Sequence, residues 1–221
     1  MTKKISEVHK RSIQLSSLAL PVFVILSLLF LWLAKEVRDN ETLQFDNSLL
    51  LAINSTATAI ANSWIVALTD LGGIYGVPVI TVGMALLFFI RNRPGRASKL
   101  LVIVGGAVVI NLLMKAFFER SRPELWDRLV VEHSFSFPSG HAMVSMALAG
   151  GVVYALWRTK YRSLSIIIGL IYVLLIGYSR LYLGVHYPTD VLAGWLVGMA
   201  WVILVVGIFD KSYRSIVLDS K

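Results

Sequence analysis

Long apolar stretches alternate with short polar segments along most of the chain. Six of these stretches approach the roughly 17 to 25 residues that a helix needs to cross about 30 Å of hydrocarbon. Their bounds are 15–34, 74–90, 99–118, 139–157, 163–180 and 190–208. The pattern therefore predicts an all-α integral membrane protein with six transmembrane helices, built as a single membrane-embedded domain over residues 1–221.

One further segment, residues 47–70, is long enough to cross a membrane but carries regularly placed polar residues. Its apolar positions recur at the spacing of one helix face: Leu50, Ile53, Ala57, Ile60, Trp64 and Ala67. This spacing predicts an extra amphipathic helix around 47–70 that lies on the membrane surface. The alternative is a seventh crossing, which would move the basic loop at 91–96 to the other side of the membrane.

Composition narrows the class of protein further. With 57% hydrophobic residues, 15% charged residues and a mean hydropathy of +0.73, the chain is too apolar for a soluble domain. It has no cysteine, so disulfides and thiolate metal sites are excluded. Lys3, Lys4, Lys10 and Arg11 precede the first apolar stretch, as in a signal peptide. That stretch is long and no small-residue cleavage site follows it, so we expect the first helix to be retained.

The net charge of +8 is distributed unevenly. Six crossings leave both termini and the loops at 91–98 and 158–162 on one side, which holds fourteen of the twenty-one Lys and Arg residues. The same side has three of the thirteen acidic residues. The positive-inside rule therefore predicts that both termini are cytoplasmic. Attraction to anionic lipid explains these cations better than nucleic-acid binding does.

Polar residues also collect at the opposite ends of the predicted helices, where ionisable groups are costly. They are Lys115, Arg120, Arg122, Ser139, Gly140, His141, Arg180, His186 and Asp190. Taken singly, Lys115 and Arg180 could be interfacial anchors, and Ser139 and Asp190 could be helix N-caps. Together, fixed cations, two imidazoles, a carboxylate and a Ser-Gly turn at a helix start are typical of a phosphate site.

Three blocks of sequence carry a specific resemblance. They are KAFFERSRP at 115–123, PSGH at 138–141 and SRLYLGVHYPTD at 179–190. In order and spacing they match the signature motifs of the type 2 phosphatidic acid phosphatase family at every defining position, and the chain resembles that family. The resemblance implies a membrane lipid phosphatase that is metal-independent and has no cofactor.

The resemblance also implies a role for each motif residue. The residues expected to bind the phosphoryl oxygens are Lys115, Arg122, Ser139, Gly140 and Arg180. His186 is the expected nucleophile, forming a phosphohistidine, and Asp190 is expected to orient its ring. His141 is left as the general acid for the leaving group. Arg120 and His133 are not at defining motif positions, and we expect them to be solvated residues of a substrate-contacting loop at 119–137.

The expected partner is a membrane lipid substrate, held at the extracytoplasmic side of the cell membrane. The resemblance leaves open undecaprenyl diphosphate, phosphatidylglycerol phosphate and phosphatidic acid, and the sequence leaves the oligomeric state open. A multi-pass transporter that uses the same residues as an anion site is the alternative, but its polar groups should lie near mid-membrane. A soluble haloperoxidase with a similar anion site is excluded by the six apolar stretches.

Overall fold

The computed structural model describes the backbone of residues 2–219 and the side chains of residues 19–209. Over that backbone the chain is helical, with no strand. Its helices are α1 (Thr2–Arg38), α2 (Leu43–Asn54), α3 (Ala59–Asp70), α4 (Gly76–Ile90), α5 (Pro94–Phe118), α6 (Gly140–Leu156), α7 (Arg162–Tyr182) and α8 (Pro188–Asp219). The basic residues before the first apolar stretch lie outside the described side chains: Lys3, Lys4, Lys10 and Arg11.

Each of the six predicted crossings falls on a helix, but the helices differ in length. Within the described residues, α5, α7 and the segments Ala19–Arg38 of α1 and Pro188–Phe209 of α8 are long and apolar enough to cross a membrane. The other two, α4 with 15 residues and α6 with 17, are only about 22 and 26 Å long at about 1.5 Å per residue. Helix length and composition thus support four crossings, and six crossings stay a prediction.

The expectation of one surface helix over 47–70 is wrong. The segment forms α2 and α3, which are bent by 120° at the break between them. The Ser55 hydroxyl donates to the Ala52 carbonyl at 2.8 Å, and the Thr56 hydroxyl donates to the Ile53 carbonyl at 2.7 Å. These hydroxyls compete with backbone N–H groups for the last carbonyls of α2, which favours the end of the helix here. Thr58 then caps α3. The pair is either a broken span or a re-entrant loop, and counting it as a span would give a fifth crossing.

Apolar side chains face outward on the long helices, whereas polar ones face the interior. On α5, Leu112 and Leu113 are 61% and 67% exposed, while Asn111 and Lys115 are buried. This arrangement is the reverse of a soluble protein and places a hydrocarbon-like solvent around the bundle.

Helix α6 occupies the centre of the bundle and packs against α5, α7 and α8. Its contact with α8 is very close because two glycines four residues apart, Gly194 and Gly198, face the α6 backbone. A Cβ added at these positions would lie 2.7 Å from the Ser139 carbonyl oxygen and 2.6 Å from that of Met143. Small residues at this spacing are a common way to bring membrane helices together. The packing sets the start of α8 beside the start of α6.

We expect Gly194→Ala to destabilise the protein because its methyl group would collide with backbone that cannot rotate away. Overpacking of this kind costs about 1–3 kcal/mol. The matched control is Gly105→Ala on α5, where a Cβ meets nothing within 4 Å. Thermal unfolding in detergent should show a lower midpoint for Gly194→Ala and an unchanged or higher one for Gly105→Ala. Equal midpoints would contradict the close α6–α8 contact.

Candidate active site

The eight predicted site residues lie at one end of the bundle, where α5 and α7 end and α6 and α8 begin. Lys115 is in the last turn of α5 and Arg180 in the last turn of α7. Ser139 is the N-cap of α6, and Asp190 is in the first turn of α8. The side chains that are buried there are Lys115, Arg122, Ser139, Arg180, His186 and Asp190. This many buried ionisable groups in one place is the mark of a site.

The His186 ring is held between a carboxylate and a guanidinium. Its Nδ1 atom is 3.4 Å from Asp190 Oδ2 and 3.3 Å from the Ser136 hydroxyl. On the opposite side of the ring, Nε2 is 3.1 Å from a terminal nitrogen of Arg122. Because a guanidinium can only donate, Nε2 accepts from Arg122, and the ring proton therefore lies on Nδ1, which faces the Ser136 hydroxyl and Asp190.

The surroundings of His186 keep its ring neutral. The ring is 1% exposed, and burial lowers its pKa well below the ordinary value, with the positive charge of Arg122 acting in the same direction. A lowered pKa means that the neutral, nucleophilic form persists as the pH falls. The site therefore holds an imidazole that is available for attack without first losing a proton.

Nitrogen NMR of the histidine side chains can test this protonation state. At pH 6 an ordinary histidine with a pKa of about 6.5 is roughly three-quarters protonated. We expect the His186 signal, identified by its loss in His186→Asn, to remain that of a neutral ring with its proton on Nδ1. A midpoint near 6.5, or a proton on Nε2, would contradict the arrangement described above.

Both carboxylate oxygens of Asp190 accept hydrogen bonds. Its Oδ2 accepts from the Ser136 hydroxyl at 2.5 Å and from the Tyr187 amide at 2.9 Å. Its Oδ1 accepts from Arg120 at 2.5 Å. Its backbone carbonyl accepts from the Ser139 amide at 3.0 Å, which ties the start of α8 to the start of α6. The carboxylate that faces His186 thus has little freedom to move.

The three motif cations, Lys115, Arg122 and Arg180, lie close enough to His186 for each to lower its pKa. Arg122 donates through Nε to the Ser134 carbonyl at 2.8 Å and through a terminal nitrogen to the Val185 carbonyl at 2.7 Å. Lys115 donates to the Ser134 hydroxyl at 3.2 Å and to the Phe135 carbonyl. Burial lowers the pKa of Arg122, and Glu132 partly offsets this effect. Segment 134–135 therefore positions two of the cations.

Arg180 retains an unused donor. Its guanidinium donates to the Thr69 hydroxyl at 2.7 Å and to Glu132. Its Nε atom is buried and has no hydrogen-bond partner among the described residues. A buried cation with a free N–H group is suited to bind an oxygen of an anion.

Glu132 was missed by the sequence motifs. Its carboxylate pairs with Arg180 and lies 3.6 Å from a terminal nitrogen of Arg122. It therefore bridges two of the three cations that were expected to bind phosphate. No motif spacing marks it, and its only signal was an acidic residue within the predicted loop at 119–137.

The start of α6 shows why glycine is needed at position 140. A Cβ there would lie 2.9 Å from the Asn111 side-chain oxygen and 3.8 Å from Cε of Lys115. Ser139 accepts from the Ala142 amide at 3.5 Å as the N-cap. His141 points toward the turn before α4, since a Cβ added to Gly73 would be 3.1 Å from its Nε2 atom.

The expectation that Arg120 is a solvated loop residue is wrong. Its side chain is 13% exposed and forms ion pairs with Asp46 at 2.9 Å and Asp190 at 2.5 Å. The guanidinium also lies over the Tyr187 ring, 4.1 Å from its centre. His133, by contrast, is exposed.

Asp46 on α2 completes this buried ion network. It is fully buried and accepts from the Thr189 amide at 3.0 Å and the Thr189 hydroxyl at 2.7 Å. It therefore fixes both Arg120 and the start of α8. Helix α2, which begins four residues before the predicted surface helix at 47–70, in this way supplies a residue that supports Asp190.

We expect Arg120→Leu to lower kcat by roughly 100-fold, as small displacements of a catalytic group do, while KM changes little. The reason is that Arg120 holds Asp190, whereas Nε2 of His186 faces Arg122. Arg128→Leu is the matched control, since Arg128 lies in the same loop and pairs with Glu124 and the Pro123 carbonyl. An equal effect in both variants, or a rise in KM alone, would contradict a positioning role. Arg120→Lys should recover part of kcat.

The chain is similar in sequence to a known protein family and to several characterised proteins. Residues 96–214 match the family model described as the PAP2 superfamily. Phosphatidylglycerophosphatase B of Bacillus subtilis is 34% identical over 201 residues, which cover 86% of this chain and 96% of that protein. An undecaprenyl-diphosphatase of Sulfolobus acidocaldarius is 33% identical, covering 80% and 86% of the two chains.

Solved structures give the same picture for the fold. The crystal structure of a transmembrane PAP2-type phosphatidylglycerolphosphate phosphatase from Bacillus subtilis superimposes with a TM-score of 0.79 at 32% identity, covering 86% of this chain and 96% of that one. The structure of LpxE from Aquifex aeolicus gives a TM-score of 0.61 at 25% identity, with 76% of this chain and 96% of that one covered.

Proposed function

The chain belongs to the PAP2 superfamily, and from that premise we propose that it is a membrane lipid phosphatase that works through a phosphohistidine on His186. One observation carries the proposal: Nδ1 of His186 faces Asp190, while its Nε2 faces Arg122 in a space lined by cations. A neutral imidazole with its lone pair directed at a phosphate site is an activated nucleophile.

In this proposal the phosphoryl group replaces the Glu132 carboxylate. Arg122 and Arg180, which pair with Glu132 in the structure, bind two of its oxygens together with Lys115. The free Nε–H group of Arg180 is a further donor. The positive end of α6, at Ser139 and Gly140, adds backbone amides. Phosphoryl transfer depends mainly on such positioning and charge neutralisation.

The reaction then proceeds in two displacements. Nε2 of His186 attacks phosphorus while the bond to the leaving oxygen breaks, and that oxygen takes a proton from His141. The phosphate charge favours the protonated form of His141 before this step. Water next attacks the phosphohistidine, transfers a proton to His141 and releases inorganic phosphate, which restores both rings. Asp190 stabilises His186 while the ring is phosphorylated. No metal takes part in this scheme.

We propose undecaprenyl diphosphate or phosphatidylglycerol phosphate as the substrate, with phosphatidic acid as a weaker one. The relatives named above act on the first two kinds of lipid, by their names. The site lies where helices end, so a head group can enter while its tail stays in hydrocarbon. Burial of the tail favours a lipid by roughly 0.8 kcal/mol per CH₂ over a soluble phosphate.

A release assay on purified protein tests the substrate class. Undecaprenyl diphosphate, phosphatidylglycerol phosphate and phosphatidic acid are compared with glucose 6-phosphate at equal concentration. We expect at least one lipid to be cleaved with a kcat/KM far above that of the sugar phosphate. Equal efficiency for the sugar and every lipid would overturn the lipid assignment. Activity that EDTA abolishes and Mg²⁺ restores would overturn the metal-free scheme.

We further propose that the site faces the extracytoplasmic side. The argument is the positive-inside rule, because the loops at the other end of the bundle are basic. The chain has no cysteine, so single cysteines can be labelled without background. An impermeant thiol reagent on intact cells should label Asp127→Cys, near the site, and not Asn92→Cys, at the other end. Both positions are exposed, and the reverse pattern would place the site in the cytoplasm.

A further inference from the structure

A large groove lies at the end of the bundle opposite the active site. Its volume is about 1220 Å³, above the roughly 300 to 1,000 Å³ of a typical small-molecule pocket. Helix α6 forms its floor, α7 and α8 form its sides, and the first turns of α5 close its end. Helices α7 and α8 make little direct contact with each other, so the space between them stays open.

The groove is apolar inside and basic at its mouth. Its interior is lined by side chains such as Val153, Leu170, Val202 and Ile203. Five cations from two loops and from the starts of α5 and α7 surround the mouth: Arg93, Arg96, Lys99, Arg158 and Arg162. No Asp or Glu is among the described residues that line it. Among the described residues, the groove therefore combines a hydrocarbon-like interior with a rim that carries only positive charge.

The rim cations have no acidic partner among the described side chains. Within residues 19–209 none of the five forms an ion pair. Two of them are held at the mouth by aromatic neighbours: Lys99 donates to the Tyr154 hydroxyl at 3.3 Å, and the Arg162 guanidinium lies 3.7 Å from the centre of the Trp157 ring. Clustered cations without acidic partners favour an external anion.

We propose that this groove binds an anionic phospholipid, with the phosphate at the basic mouth and the acyl chains against the apolar interior. Basic pockets between transmembrane helices are a recurring mode of anionic lipid recognition. A zwitterionic lipid would bring its own cation to the rim, and a free anion would leave the apolar interior empty. The apolar interior of the groove reaches Met146 on α6. Its basic mouth, at Arg158, lies a full length of α6 from Ser139, about 26 Å at about 1.5 Å per residue. It is thus separate from the site of the reaction.

The test is thermal unfolding of the full chain in detergent with added lipid. Phosphatidylglycerol should raise the unfolding midpoint, whereas phosphatidylcholine with the same acyl chains and glycerol 3-phosphate should not. Equal stabilisation by phosphatidylcholine would overturn the requirement for an anion. Equal stabilisation by glycerol 3-phosphate would show a head-group site without a role for the acyl chains, which would also overturn the proposal.

Paired variants locate the effect. Arg96→Gln/Lys99→Gln should lose the rise in midpoint that phosphatidylglycerol causes. Arg93→Gln/Arg158→Gln should lose it as well. Arg93 and Arg158 are exposed, so replacing them should have little effect on the stability of the fold. Arg91→Gln/Lys160→Gln removes the same charge from the same end but outside the groove, and should keep the shift. Arg122→Gln, which impairs the phosphate site at the other end, should also keep it. A shift that survives both rim variants, or that is lost in Arg122→Gln, would overturn the proposal.

Discussion

His186→Ala should reduce lipid phosphatase turnover by at least about 10⁴-fold, since it removes the atom that attacks phosphorus. The ring is buried between Asp190 and Arg122, and alanine cannot supply a second nucleophile at that position. Binding should be affected far less, because Lys115, Arg122 and Arg180 remain. Phosphate release from the lipid substrate and binding of vanadate, a mimic of the transferring group, measure the two effects separately.

His133→Ala is the matched control for this variant. It replaces a histidine of the adjacent loop that is exposed, and it should leave turnover close to that of the unmodified protein. In the unmodified protein, rapid quenching with radiolabelled substrate should also trap phosphate on the chain, and His186→Ala should trap none. Turnover within a few-fold of normal in His186→Ala would require a different nucleophile.

The motifs predicted which residues lie together at the candidate site, but not the residues that support them. Lys115, Arg122, Arg180, His186 and Asp190 do meet at one end of the bundle, as three widely spaced motifs at helix ends indicate. Each of these residues has a recognisable spacing to a neighbour in the sequence. The structure adds what spacing cannot show, namely which atom of His186 faces which partner.

The residues that support the site could not be predicted because each stands alone in the sequence. Asp46, Glu132 and Ser136 come from segments without a motif, and only the fold brings them to Asp190 or to the cations. Asp46 in particular stands just before the segment 47–70, whose apolar periodicity indicated a surface helix. The break at 55–58 arises from local hydroxyl bonds that a periodicity argument does not include.

The hydrogen bonds around Asp190 fix its position, whereas the cations of the site hold a carboxylate that a ligand could replace. Asp190 is locked by Arg120, Ser136 and the Tyr187 amide, so the orientation of His186 does not depend on substrate. The cations are different, since two of them hold Glu132, a carboxylate that is partly exposed. In the proposed mechanism, an incoming phosphate would replace the Glu132 carboxylate, so the buried cations would keep an anionic partner.

His141→Ala should slow turnover by about 10²- to 10⁴-fold for a lipid monophosphate, because its leaving alkoxide needs a proton. The effect should shrink for an aryl phosphate such as p-nitrophenyl phosphate, whose leaving group departs without one. His186→Ala should instead disable both substrates equally, because both need the nucleophile. His141 lies in the first turn of α6 beside Gly73 and forms no hydrogen bond with Asp190, Ser136 or Arg120 among the described residues, so its loss should leave the His186 ring in place. Equal losses for the alkyl and aryl substrates in His141→Ala would assign that histidine to binding or structure rather than to proton transfer.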